Sequence, residues 1–294
     1  MKRNFLFARS SRLSLVAAAV LFGATSLWAQ SLNWEGQTGA FVTPFAYATS
    51  SPKNSIGRPT VAFHYLNGGS VVGNDFQTSI TLGLFKYAEI GYTRASVAGG
   101  STPGLSPLFE NGFNIFHGKV NVLPENSFKK KYLPAIAVGF VARTNVKRVG
   151  GVITDKETSN GDFYIAATKT ITQTKTVPIV LNFGVKETNA SLLGISGNSP
   201  SWGPRLFGAA GFVLPGPKKS KVVVGSEVLQ QPHRIQNLPG ATLPTTLTYF
   251  ARVLPVPEKP FNLDFGVAQA AGRVLPGADV KARAQFAFGA SYRF

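Results

Sequence analysis

Cysteine is absent from these 294 residues. In an exported chain that excludes a disulfide framework and leaves stability to a closed hydrogen-bond ladder and lipid contact. Long apolar runs are almost absent as well. One occurs at the start, Leu13 to Leu27, behind the basic residues Lys2, Arg3, Arg9 and Arg12. It is shorter than the roughly 20 residues a helix needs to cross a bilayer. With Leu27-Trp28-Ala29 as a cleavage site, residues 1–29 read as a signal peptide. No second run follows, which excludes a helical inner-membrane protein.

Acidic residues are scarce too. Thirteen face 30 Lys and Arg, a formal charge of +17, and +13 once the four basic residues of the leader are removed. Nucleic acid is the usual partner for such a balance, but export and the lack of any RNA or DNA motif argue against it. Polyanions such as lipopolysaccharide phosphates or an acidic polysaccharide fit better, as do small anions. The plainer alternative is that the Lys-rich turns are simply solvated. Histidine is limited to His64, His117 and His233, which share no motif. No Gly-x-Ser-x-Gly and no metal-ligand spacing is present, so no catalytic, cofactor or metal site is expected.

What the chain does contain is alternation. Phe286, Phe288, Ala290, Tyr292 and Phe294 fall on one side of a period of two, with Lys281, Arg283, Gln285, Ser291 and Arg293 on the other. Aromatics outward and charge inward suit a wall between lipid and water. Segments of this kind recur near 59–67, 75–85, 88–97, 113–123, 135–145, 162–172, 177–188, 205–214, 221–230, 245–254, 261–270 and 281–294. Most are about ten residues long, as a tilted membrane strand requires. Their links alternate long and short, and Pro124, Pro215, Pro255 and Pro276 each end a strand after Val-Leu. The long links are rich in Gly, Ser, Asn and Pro, as at Gly99 to Pro107, Gly194 to Pro204 and Gln231 to Pro244. The pattern predicts an all-β transmembrane antiparallel up-and-down barrel of about twelve strands over 59–294, with both termini in the periplasm. In the fourth strand the apolar parity slips at His117-Gly118, which predicts a bulge there. Residues 30–58 are expected to form a periplasmic or lumen-plugging segment.

A strand that ends on Phe294 resembles the closing strand of bacterial outer-membrane barrels, which implies Tyr292 and Phe294 as a signal for the barrel assembly machinery. Gly36-Gln37-Thr38-Gly39 leading to Thr43-Pro44, Leu82-Gly83-Leu84-Phe85-Lys86-Tyr87-Ala88-Glu89-Ile90-Gly91-Tyr92, and Tyr132-Leu133-Pro134-Ala135-Ile136-Ala137-Val138-Gly139 resemble exported barrels associated with exopolysaccharide production and related outer-membrane families. That resemblance implies the cell outer membrane, with its lipid and lipopolysaccharide, and a link to polysaccharide export. It supplies no catalytic motif.

Strand parity turns Arg143, Lys186, Arg205, Lys221, Arg252, Lys281, Arg283 and Arg293 inward, against Glu227 and Asp264. Basic residues in that excess cannot all be paired, which predicts a narrow, cation-lined, porin-like channel favouring anions or polyanions. The alternative is a structural or adhesive barrel with a plugged lumen that acts through its extracellular loops. A lipid-modifying enzyme stands third.

Overall fold

The computed structural model describes residues 31–103, 106–109, 112–146, 158–172, 177–236, 242–255, 260–270 and 285–294. The expected signal peptide, Lys281 and Arg283 lie outside these residues.

Twelve strands close into a barrel in chain order: β1 (Thr60–Asn67), β2 (Asn74–Leu84), β3 (Ala88–Ala98), β4 (Phe113–Leu123), β5 (Ala135–Val146), β6 (Thr158–Ile171), β7 (Ile179–Ala190), β8 (Asn198–Pro215), β9 (Lys221–Leu229), β10 (Thr246–Leu254), β11 (Phe261–Ala270) and β12 (Gln285–Arg293). Every neighbour is antiparallel. β12 closes on β1 with Phe63 opposite Ala290 and Tyr65 opposite Phe288. Closure satisfies the backbone donors and acceptors that an open edge would strand in hydrocarbon. Phe294 seals the seam, its amide donating to the Pro59 carbonyl at 3.0 Å.

Phe63, Ile80, Phe116, Phe140, Phe163, Phe183, Phe212, Tyr249, Phe265 and Phe286 all stand exposed on the outer face. In water so continuous an apolar surface is a liability; around a barrel it is the lipid-facing belt. This is an outer-membrane β-barrel. The protein should fractionate with the outer membrane and migrate faster unheated than boiled. Recovery as a soluble periplasmic protein would contradict that assignment.

Two strands run further than their alternation suggests. β6 begins at Thr158 and β8 at Asn198, ahead of the expected 162 and 205. The extra residues are polar or Gly- and Pro-containing, but β8 stays on the β7 ladder, with Glu187 opposite Pro204 and Thr188 opposite Gly203. The Asn160 side-chain amide donates to Asn198 Oδ1 at 2.8 Å, and the Asn198 side-chain amide donates to the Ser159 carbonyl at 3.0 Å. Contacts above the lipid belt, which carry no apolar alternation, hold these ends in strand form.

The bulge expected at His117-Gly118 is not there. Gly91 pairs with His117 and Ile90 with Gly118 without interruption, and the register shift of β4 against β5 falls between Asn121 and Leu123. The parity slip has a different cause. Phe113 and Ile115 are apolar yet fully buried on the inner face, while Phe116 and Val120 face outward. The interior has an apolar core of its own, so apolar does not mean lipid-facing on this strand.

Candidate functional site: the barrel interior

Side chains alone fill a barrel of about eight strands, whereas sixteen or more leave an aqueous channel. Twelve strands lie between, and here residues 31–49 occupy the space. Leu32, Trp34, Phe41, Phe45, Ala46 and Tyr47 are buried with the inward-facing residues of the wall. The segment reaches the rim at its far end, where Ile56 bridges to Leu84 and the Gly57 amide donates to the Gly83 carbonyl at 2.8 Å.

The segment pairs part of its backbone within itself, the Trp34 amide donating to the Phe41 carbonyl at 2.8 Å and the Phe45 amide to the Thr38 carbonyl at 3.0 Å, and the buried groups left over need other partners. Wall side chains supply them. Glu227 accepts from the Val42 amide at 2.9 Å, and from the Thr43 amide and hydroxyl at 2.7 Å each. Lys119 donates to the carbonyls of Thr38 and Phe45, both at 2.9 Å, and pairs with Glu89 at 3.0 Å. Glu89, directly across the ladder from Lys119, also accepts from the Thr38 amide and hydroxyl and from the Thr49 amide. Arg252 faces its cross-strand partner Asp264, with Nε 2.6 Å from Oδ1, and its other nitrogens donate to the carbonyls of Gly39 at 2.9 Å and Ala40 at 3.0 Å. Higher up, Arg143 donates to Glu35 at 2.7 Å and to Asp162 at 2.8 Å, and Lys186 joins Asp162 at 3.3 Å.

The wall thus holds the segment by charge-assisted hydrogen bonds, and the segment returns one carboxylate, Glu35. Shape adds to it. Ring side chains lie flat over glycines of the neighbouring strand: His64 over Gly289, His117 over Gly91, Tyr164 over Gly139 and Phe207 over Gly184. A Cβ added at any of these glycines would fall within 2.1–2.4 Å of the ring. His64 is further packed between Trp34 and Phe41, with centroids 5.8 and 6.2 Å away. His117 reaches the Thr81 hydroxyl at 3.2 Å, and His233 is exposed in the β9–β10 link. The three histidines are not brought together. Among the described residues no group of His, Asp and Glu could hold a metal ion. A cavity beside Glu35, Gln37, Tyr164 and Lys186 has room for about one water.

Of the basic residues that parity turns inward, Arg143, Lys186 and Arg252 are buried as described. Arg143 and Lys186 share Asp162, whereas Arg252 stands on a different part of the wall. Arg205 is half-buried and donates to the adjacent Pro204 carbonyl at 2.6 Å. Lys221 opens β9 and Arg293 ends β12, both half-buried at the rim. They do not form one continuous lining. The expectation that pairing could not neutralise the interior is corrected: Glu35, Glu89 and Asp162 supply carboxylates that the count of Glu227 and Asp264 omitted. Lys119 was missed because the inward apolar Phe113 and Ile115 disguise the parity of β4. Its opposition to Glu89 across the ladder was the available signal.

The sequence pattern of the family described as proteins of unknown function, DUF3034, matches residues 29–251. No curated protein matches the chain. Among solved structures, the KdgM porin in complex with disordered oligogalacturonate aligns at TM-score 0.46 and 8% identity, covering 80% of this chain and 99% of that one. The NanC porin gives the same TM-score and identity over 80% and 100%. The outer-membrane protein Omp33 of Acinetobacter baumannii aligns at 0.42 and 9% over 81% and 99%. Similarity this distant carries no argument about transport.

Proposed function

The chain belongs to the DUF3034 family, and we propose that it is a non-enzymatic outer-membrane barrel kept closed by its own N-terminal segment. Its interactions then run through its loops and rims, and it is not a standing pore. One observation carries this reading: four wall side chains, Arg252, Lys119, Glu89 and Glu227, are completed by the segment's backbone. Arg252 and Lys119 hold carbonyls of residues 38–45, and Glu227 holds two amides. A segment resting loosely in an open pore would leave those charges to water.

The reading also bears on selectivity. Among the described residues, Arg143, Lys186, Lys119 and Arg252 are set against Asp75, Glu89, Asp162, Glu227 and Asp264, all buried on the inner face of the wall. A lumen emptied of residues 31–49 would have little excess charge of either sign and little anion preference. An anionic polysaccharide, the partner implied by the sequence resemblance, would therefore meet the barrel at its surface.

Single-channel recording tests both points. The intact protein should show no stable conductance in planar bilayers. A variant lacking residues 31–55 that still shows heat-modifiability should conduct, with a reversal potential near zero across a salt gradient. Steady anion-selective conductance from the intact protein would overturn the closed-barrel reading and restore the basic pore.

A further inference from the structure

We propose that the periplasmic rim of this barrel is a binding surface for anionic phospholipid headgroups of the inner leaflet. The observation behind it lies in three short turns. Between β2 and β3, Phe85 and Lys86 have φ of 50° and 71°, and the Tyr87 amide closes the turn on the Leu84 carbonyl at 3.2 Å. Between β4 and β5, Phe128 and Lys129 have φ of 54° and 59°, and the Lys130 amide donates to the Ser127 carbonyl at 3.0 Å. Between β8 and β9, Lys218 and Lys219 have φ of 51° and 69°, with the Ser220 amide on the Pro217 carbonyl at 2.9 Å.

Positive φ at both central residues is the turn geometry for which Asn-Gly is strongly preferred, because an L side chain is strained there. All six positions instead carry Phe or Lys. Turn geometry alone would not select these residues; Lys86 lies with its Nζ 5.6 Å from the Tyr87 ring centroid, and the rest of this side-chain chemistry faces outward from the turns. All six are exposed, Phe128 at 79%, and the neighbouring Tyr132 stands 73% exposed. Lys130 and Lys131 add two more exposed ammonium groups. Among the described residues, none of these lysines pairs with a carboxylate. The acid in the β4–β5 link, Glu125, is already engaged by the Tyr47 hydroxyl, the Thr170 amide and Lys169.

Aromatic rings beside lysines match the two layers of a membrane interface, the ring at the acyl boundary and the ammonium at phosphate depth. Basic residues close to an anionic leaflet are attracted to it, an effect that grows with their number. The side of the membrane decides which lipid. These turns share a rim with the start of β1 and the end of β12, where short links place the periplasm. Lipopolysaccharide lies in the opposite leaflet. A soluble anionic polysaccharide would match the charge but leave the rings in water.

The mature protein, reconstituted in nanodiscs of mixed phosphatidylethanolamine and phosphatidylglycerol, can be examined by native mass spectrometry. It should retain phosphatidylglycerol over phosphatidylethanolamine by about tenfold. The combined variant Lys86→Gln, Lys129→Gln, Lys130→Gln, Lys218→Gln and Lys219→Gln should fall to near parity while staying heat-modifiable. The matching Lys→Arg variant should keep the preference, which separates charge recognition from a folding defect. Equal retention by parent and Gln variant would overturn the proposal. So would preferential retention of lipid A over phosphatidylglycerol once lipid A is added to the nanodiscs, or polygalacturonate binding in detergent that depends on the same lysines. Channel recordings do not bear on it, so it stands or falls apart from the closed lumen.

Discussion

Replacing Arg143 by Met should destabilise the folded barrel by about 3–5 kcal/mol, the usual consequence of removing one partner from a buried ion cluster. The guanidinium is fully buried and spans two carboxylates, Glu35 on the N-terminal segment and Asp162 on β6. Without it Glu35 loses its ionic partner. Asp162 retains Lys186 at 3.3 Å. A second substitution, Glu35→Gln, removes the stranded charge, so the double variant should regain a good part of the loss and the two changes should be far from additive. Urea midpoints of the reconstituted protein, read from the shift between folded and unfolded mobility, measure this. Equal destabilisation of the single and double variants would show that Glu35 and Arg143 are not coupled, and the segment's seat in the lumen would then be wrong.

The C-terminus carries the second large effect. Tyr292 and Phe294 project outward with their rings edge to face at 5.1 Å, while Arg293 turns inward at the rim. Replacing both aromatics by Ser should reduce the heat-modifiable fraction in the outer membrane by about tenfold or more, since lipid-facing rings and the expected assembly signal are lost together. Arg293→Gln should assemble nearly as the parent does, because it leaves the lipid face and the Phe294 amide bond to Pro59 untouched. Similar assembly of both variants would remove Tyr292 and Phe294 from any role in recognition by the assembly machinery.

The outer wall of this protein was legible in its residues. Lipid is a uniform partner, so every lipid-facing position answers to the same rule, and alternation such as Val61, Phe63 and Tyr65 marks a strand wherever it occurs. All twelve strands follow from that rule, and their antiparallel order follows from the alternating links. The rule fails where lipid stops being the partner, as at the upper ends of β6 and β8 and on the inner face of β4.

The interior was only half legible. Parity places Arg143, Lys186 and Arg252 inward, but parity is a statement about one strand and its faces. What neutralises an inward charge depends on which residue is opposite it in space. Lys119 and Glu89 are 30 positions apart, Glu35 and Arg143 108, and Val42 and Glu227 185. By itself the sequence determined a closed, lipid-embedded barrel, because the period of a strand and the hydrophobicity of a bilayer are local constraints. Only the tertiary structure decided that the basic residues of its lumen are held by carboxylates and by the backbone of residues 31–49. That pairing arises from ring closure and the threading of one segment through it, and no local pattern encodes either.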